Sequence, residues 1–202
     1  MDACCSPAAL ATRQQRVLWL VLAINSAMFL AETTAGLLAH STALLADALD
    51  MLGDALVYGL SLYALRRGET WRAGAALGKG LIMAAFGLGV VGEAVSKALH
   101  GTVPRAPLMG VFGVLALAAN LACFALLLRH RGDDLNLRSA WLCSRNDVLA
   151  NAGVLLAAAG VALSGTLWPD LVIGLLIATL FLASAGGVIR AAATALRQAA
   201  RP

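Results

Sequence analysis

The sequence predicts an all-α integral membrane protein: a six-helix transmembrane bundle with both termini in the cytoplasm. Three observations carry that expectation. Of the 202 residues, 60% are hydrophobic and only 13% charged, with a mean hydropathy of +0.82, whereas soluble domains lie nearer half and a quarter. Six apolar runs reach the ~20 residues that a helix rising ~1.5 Å per residue needs to cross ~30 Å of hydrocarbon. Lysines and arginines fall unevenly between the connections, as they do in proteins oriented by positive charge.

In chain order, residues 1–15 form a polar N-terminal tail holding Cys4 and Cys5. It lacks the charged start, short apolar core and cleavage site of a signal peptide, so the first apolar run reads as a retained span. Spans are expected near 16–38, 42–65, 76–98, 107–128, 139–164 and 168–194, forming one six-helix transmembrane domain over 16–194 and leaving a short tail at 195–202. Polar or breaker-rich connections are expected at 68–72, 101–107 and 129–138, with the tight hinge SGTLWPD at 164–170. Of the 15 Lys and Arg, 12 (Lys79 among them) lie on the side of the termini, Lys97 and Arg105 on the other, and Arg145 inside a span. An even number of spans independently requires both termini to share a side. The net charge of +4 is explained by this bias, so nucleic acid is not an expected partner. The four cysteines, Cys4, Cys5, Cys123 and Cys143, have no disulfide-framework spacing.

A faint internal repeat relates LAINSAMF (22–29) to LAANLACF (117–124), and DMLGD in span 2 to CSRND in span 5. Three spans per half would make the halves inverted, with a site at their interface.

The second span, ALLADALDMLGDALVYG (43–59), carries Asp47, Asp50 and Asp54. At about 100° per residue all three project within one ~60° arc. Facing lipid, each would cost roughly 2.5–3.5 kcal/mol. The pattern makes sense if the arc lines a wet cavity or a shared cation. In span 5, Cys143, Asp147 and Asn151 are spaced four apart on one face. With span 2 running inward and span 5 outward, Asp54 and Asp147 share a level about 18 Å below the outer boundary. Asp50 and Cys143 lie to either side, so three carboxylates and a thiol can converge as four ligands. Oxygen with sulfur suits tetrahedral Zn²⁺, Cd²⁺ or Co²⁺ rather than octahedral Mg²⁺. Such ligands bind deprotonated, so metal displaces protons. The alternative is a structural polar network with Arg145 paired to Asp47. Asp47 reads as support for the site rather than as a ligand. Asn25 and Glu32 in span 1 are pathway or helix-contact groups. Glycines in spans 3 and 6 predict close helix approach and a homodimer seam there.

INSAMFLAETTAGLLAHSTALLADALDMLGD (24–54) and SAWLCSRNDVLANAGVLLAA (139–158) resemble the cation diffusion facilitator family, exporters of divalent metals. The resemblance implies that Asp50, Asp54 and Asp147 are metal ligands, with Cys143 where zinc members usually carry His. It further implies that this is a short form without the cytoplasmic domain that family members carry after span 6. The expected function is export of Zn, Cd or Co across the plasma (inner) membrane in exchange for protons, with no enzymatic activity and no cofactor beyond the transported metal. The alternative is a non-transporting membrane metal sensor or accessory subunit.

Overall fold

A computed structural model describes the backbone over residues 7–64, 69–128 and 135–199, and side chains over 16–60, 62, 71, 73–128 and 147–199. The described residues form six helices: α1 (Pro7–Ala39), α2 (Thr42–Ala64), α3 (Glu69–His100), α4 (Ala106–Leu128), α5 (Leu135–Ser164) and α6 (Trp168–Ala199). Several run past the expected spans. The N-terminal tail is helical from Pro7, and Glu69–Arg72, expected as a loop, already belong to α3. In hydrocarbon only a closed helix satisfies every backbone N–H and C=O, and extending past the boundary adds further internal bonds.

Local chemistry ends the helices sharply at one pole. Ser41 N–H donates to the Gly36 carbonyl at 2.9 Å and His40 N–H to Leu37 at 3.3 Å. His40, at φ 53°, closes α1 in the left-handed conformation such a cap requires. Ser41 then caps α2, its Oγ accepting from Leu44 N–H at 3.1 Å. Gly101 (φ 69°) and Gly165 (φ 64°) end α3 and α5 in the same left-handed region. The α1–α2, α3–α4 and α5–α6 turns gather at this pole, tied by Arg105 N–H to the Ala39 carbonyl at 2.9 Å. Alternation of direction sends the start of α1 and the end of α6 to the other pole.

Helices α1, α3, α4, α5 and α6 are long and apolar enough to cross a membrane. In α2, Asp47, Asp50 and Asp54 fall within every stretch long enough to do so. Tertiary structure explains the exception, because α2 packs against every other helix of the bundle. Its neighbours rather than lipid are its solvent. Around it, α1 pairs with α2, α3 with α6, and α4 with α5. Small residues such as Ala35, Ala43, Ala46, Ala157, Ala178 and Ala185 fill the core, allowing the close backbone approach by which helices associate in lipid. Large side chains such as Leu30, Leu88, Leu156 and Leu180 point outward. Polarity is therefore inverted relative to a soluble bundle: Asn25, Glu32, Asp47, Asp147 and Asn151 are inside.

The glycines of the expected dimer seam divide. Gly80 faces Ile189 and Gly87 faces Leu182, so both serve the α3–α6 contact within the chain. Gly174 lies against the backbone of Thr42 and Ala43 at the start of α2. Gly78, Gly89 and Gly92 have nothing within 4 Å.

Candidate metal site

Midway along the bundle a cavity of about 560 Å³ opens between α2, α3, α5 and α6. Asp50 and Asp54 reach it from α2 and Asp147 from α5, beside Lys79, Met83 and Phe181. Helix period produces this arrangement: Asp50 and Asp54 are one turn apart on the face that α2 turns toward α5. Asp147 is within hydrogen-bonding reach of both Asp50 and Asp54. Asp54 is 9% exposed and Asp147 7% exposed. Among the described residues, no three His, Cys, Asp or Glu side chains already meet around a point in ligating geometry. The carboxylates stand as neighbours on the wall of an open space, rather than as a closed cage.

Cys143 lies on α5 one turn before Asp147, but its side chain is outside the described residues, as are those of Arg145, Cys4 and Cys5. The expected pairing of Arg145 with Asp47 therefore lies outside the described residues. Asp47 is buried and accepts from Asn151 Nδ2 at 2.7 and 2.8 Å through its two oxygens. Asn151 in turn accepts from Asn120 Nδ2 at 3.3 Å. Asp47 and Asn151 thus tie α2 to α5 and α4 beside the cavity without lining it. Glu32 is buried against Asp47 rather than along an open path. Asn25 bonds within its own helix to the Val21 carbonyl at 2.9 Å and meets Cys123 Sγ at 3.9 Å. It joins α1 to α4 and does not reach the cavity.

Three groups escaped the sequence reading. Tyr58 donates its hydroxyl to Asp54 Oδ2 at 3.0 Å; its i+4 spacing from Asp54 was the available signal. Lys79 was counted with the basic residues on the side of the termini. It also lines the cavity and acts electrostatically on Asp54. An ionisable residue within an apolar run was the cue. Asp170, at the turn pole, is buried and paired with Lys97 at 2.6 Å. Asp170 also accepts from Ser41 Oγ at 2.6 Å, Thr42 N–H at 2.8 Å and Ala43 N–H at 3.2 Å. Lys97 additionally donates to the His40 carbonyl, and Thr42 Oγ1 to Glu93 at 2.9 Å. Nothing in the spacing of residues 97 and 170 announces this latch.

Paired acids thus stand in the middle of an apolar bundle, beside an opening between helices. Comparison with known proteins is specific. The family described as the cation efflux transmembrane domain matches residues 18–196, and the chain belongs to that family, the cation diffusion facilitators. Among its relatives, a cadmium, cobalt and zinc/H(+)-K(+) antiporter of Bacillus velezensis is 26% identical over 185 residues, 84% of this chain and 59% of the relative. The metal cation efflux system protein CzcD of Cupriavidus metallidurans is 27% identical over 175 residues, 81% of this chain and 55% of its own length. The zinc transporter ZitB of Escherichia coli is 29% identical over 182 residues, 83% of this chain and 58% of its own length. The chain therefore matches less than two thirds of the length of each of these relatives.

Proposed function

We propose that the protein exports a divalent transition metal, Zn²⁺, Cd²⁺ or Co²⁺, from the cytoplasm in exchange for protons. The observation that carries this reading is the cavity with Asp50, Asp54 and Asp147 on its wall. The names of the relatives, all metal-cation transporters, support the substrate class. Asp50, Asp54 and Asp147 bind the ion, and Cys143, one turn away on α5, completes a tetrahedral shell. Metal draws the carboxylates inward from their open arrangement. Each ligand must be deprotonated to bind, so loading releases protons and protonation unloads. Lys79 supplies a cation beside Asp54 when the metal is absent. Alternating access rocks the helices that carry the site. The basic residues toward the pole of the termini support a cytoplasmic location for both ends in a plasma membrane. The outward-facing Gly78, Gly89 and Gly92 of α3 offer a seam for a homodimer.

The test is metal flux in proteoliposomes across a panel of divalent ions with an imposed pH gradient. Zn²⁺ or Cd²⁺ uptake that accelerates with the gradient, and that Asp54→Ala and Asp147→Ala abolish, is the expected result. Metal binding without flux would favour a sensor or accessory subunit instead.

A further inference from the structure

Both carboxylate oxygens of Glu32 are buried with no hydrogen-bond partner among the described residues. The side chain projects from α1 onto Asp47 of α2, within hydrogen-bonding reach. The two oxygens of Asp47 are already engaged, accepting from Asn151 at 2.7 and 2.8 Å. The next charge near Glu32 is another acid, Asp50. From α4, the polar groups nearby are Asn120, which is bonded to Asn151, and the Cys123 thiol, which meets Asn25. From α3 the contact with α1 is Phe86 against Phe29. Two described lysines that are not exposed act elsewhere: Lys97 pairs with Asp170 and Lys79 acts on Asp54.

Two ionised carboxylates so placed would present only lone pairs to each other in a medium that hydrates neither. Native interiors do not leave such groups unsatisfied without a reason. Zn²⁺ takes four ligands and Ca²⁺ six to eight oxygens; this contact has four oxygens, and the two of Asp47 already accept from an amide. A single hydrogen meets the deficit. It gives Glu32 an O–H to donate and leaves Asp47 as the acceptor it already is.

We infer that Glu32 and Asp47 share one proton at neutral pH, forming a proton-binding site separate from the cavity of Asp50, Asp54 and Asp147. The site stands on the burial of both Glu32 oxygens without a hydrogen-bond partner and on the engagement of both Asp47 oxygens by Asn151. Its role as a station for counter-transported protons rests on the exchange reading given above. Because α1 and α2 hold it jointly, with Asn151 of α5 behind, a rearrangement among these helices changes its access to water.

Infrared spectroscopy of the purified full chain in lipid nanodiscs at neutral pH tests this directly. The wild type is expected to show the C=O band of a protonated carboxyl, shifted in D₂O, and Glu32→Gln is expected to lose it while Asp54→Asn retains it. Labelling glutamate side-chain carboxyls with ¹³C in the wild type must move the same band, which tests the assignment even if the Gln variant does not fold. Saturation with Zn²⁺ should leave the band in place. Absence of the band from the wild type, its full persistence in folded Glu32→Gln, insensitivity to the glutamate label, or its loss in step with Zn²⁺ binding would each overturn the proposal. Wild-type metal flux indifferent to a pH gradient would instead sink the exchange reading and leave the site intact.

Discussion

Asp170→Ala is expected to be among the most damaging single substitutions outside the cavity. In the native structure the Lys97 side chain is 1% exposed and the Asp170 side chain 0% exposed. Removing the carboxylate strands the ammonium against the His40 carbonyl alone. Breaking a buried pair in this way costs about 3–5 kcal/mol. The N–H groups of Thr42 and Ala43, at the start of α2, lose their acceptor as well, and loss of a helix cap adds about 1 kcal/mol. For a chain of this size each kcal/mol lowers Tm by about 2–4 °C, so the melting temperature should fall by about 10–20 °C. Lys97→Met should be milder, because Asp170 keeps three donors from Ser41, Thr42 and Ala43. A Lys97→Met, Asp170→Leu pair should recover much of the loss, since the uncompensated charge is gone. Thermal unfolding followed by tryptophan fluorescence in lipid nanodiscs measures all three. If Asp170→Ala melts with the wild type, or the double variant is worse than the sum of its parts, the assignment of stability to this latch is wrong.

Cys143→His replaces a soft ligand with imidazole, and should shift the ratio of Cd²⁺ to Zn²⁺ affinity, measured by competition titration, toward Zn²⁺; an unchanged ratio removes Cys143 from the ion's shell. Tyr58→Phe deletes the hydroxyl that donates to Asp54 at 3.0 Å. A bond of that kind to a charged group is worth about 1.5–3 kcal/mol, so metal affinity should change measurably in calorimetry while the fold survives; identical affinity would show that Tyr58 does not bear on Asp54's role. Gly174→Ala puts a Cβ 2.7 Å from the Thr42 carbonyl carbon, where backbone cannot yield cheaply. It should destabilise by about 1–3 kcal/mol, read as a lower Tm, and a neutral result would mean that α6 shifts freely against α2.

What could be read from the chain was whatever depends on neighbours along it. Helix length follows from the apolar runs, because hydrocarbon thickness and helix rise set it residue by residue. That Asp47, Asp50 and Asp54 share one arc, and that Asp147 and Asn151 share another, follows from a period of 3.6. The level common to Asp54 and Asp147 follows from counting rise from opposite surfaces. Those local quantities determined six helices and nominated the acids that line the cavity.

Which face of α2 meets which partner is a property of the assembled bundle. Asp47 and Asp54 look alike in sequence, yet one is bonded to Asn151 beneath the site and the other borders open space with Tyr58. Lys79 reads as a charge near a helix end until α3 turns it into the cavity. The Lys97–Asp170 pair joins residues with two whole helices, α4 and α5, between them in the chain, and no periodicity connects them. Glycines 80, 87 and 174 signal close approach equally well, but only packing says that their neighbours are in the same chain. The physical reason is the same throughout: periodicity fixes direction around one helix axis, whereas distance between axes is set by how all six helices pack.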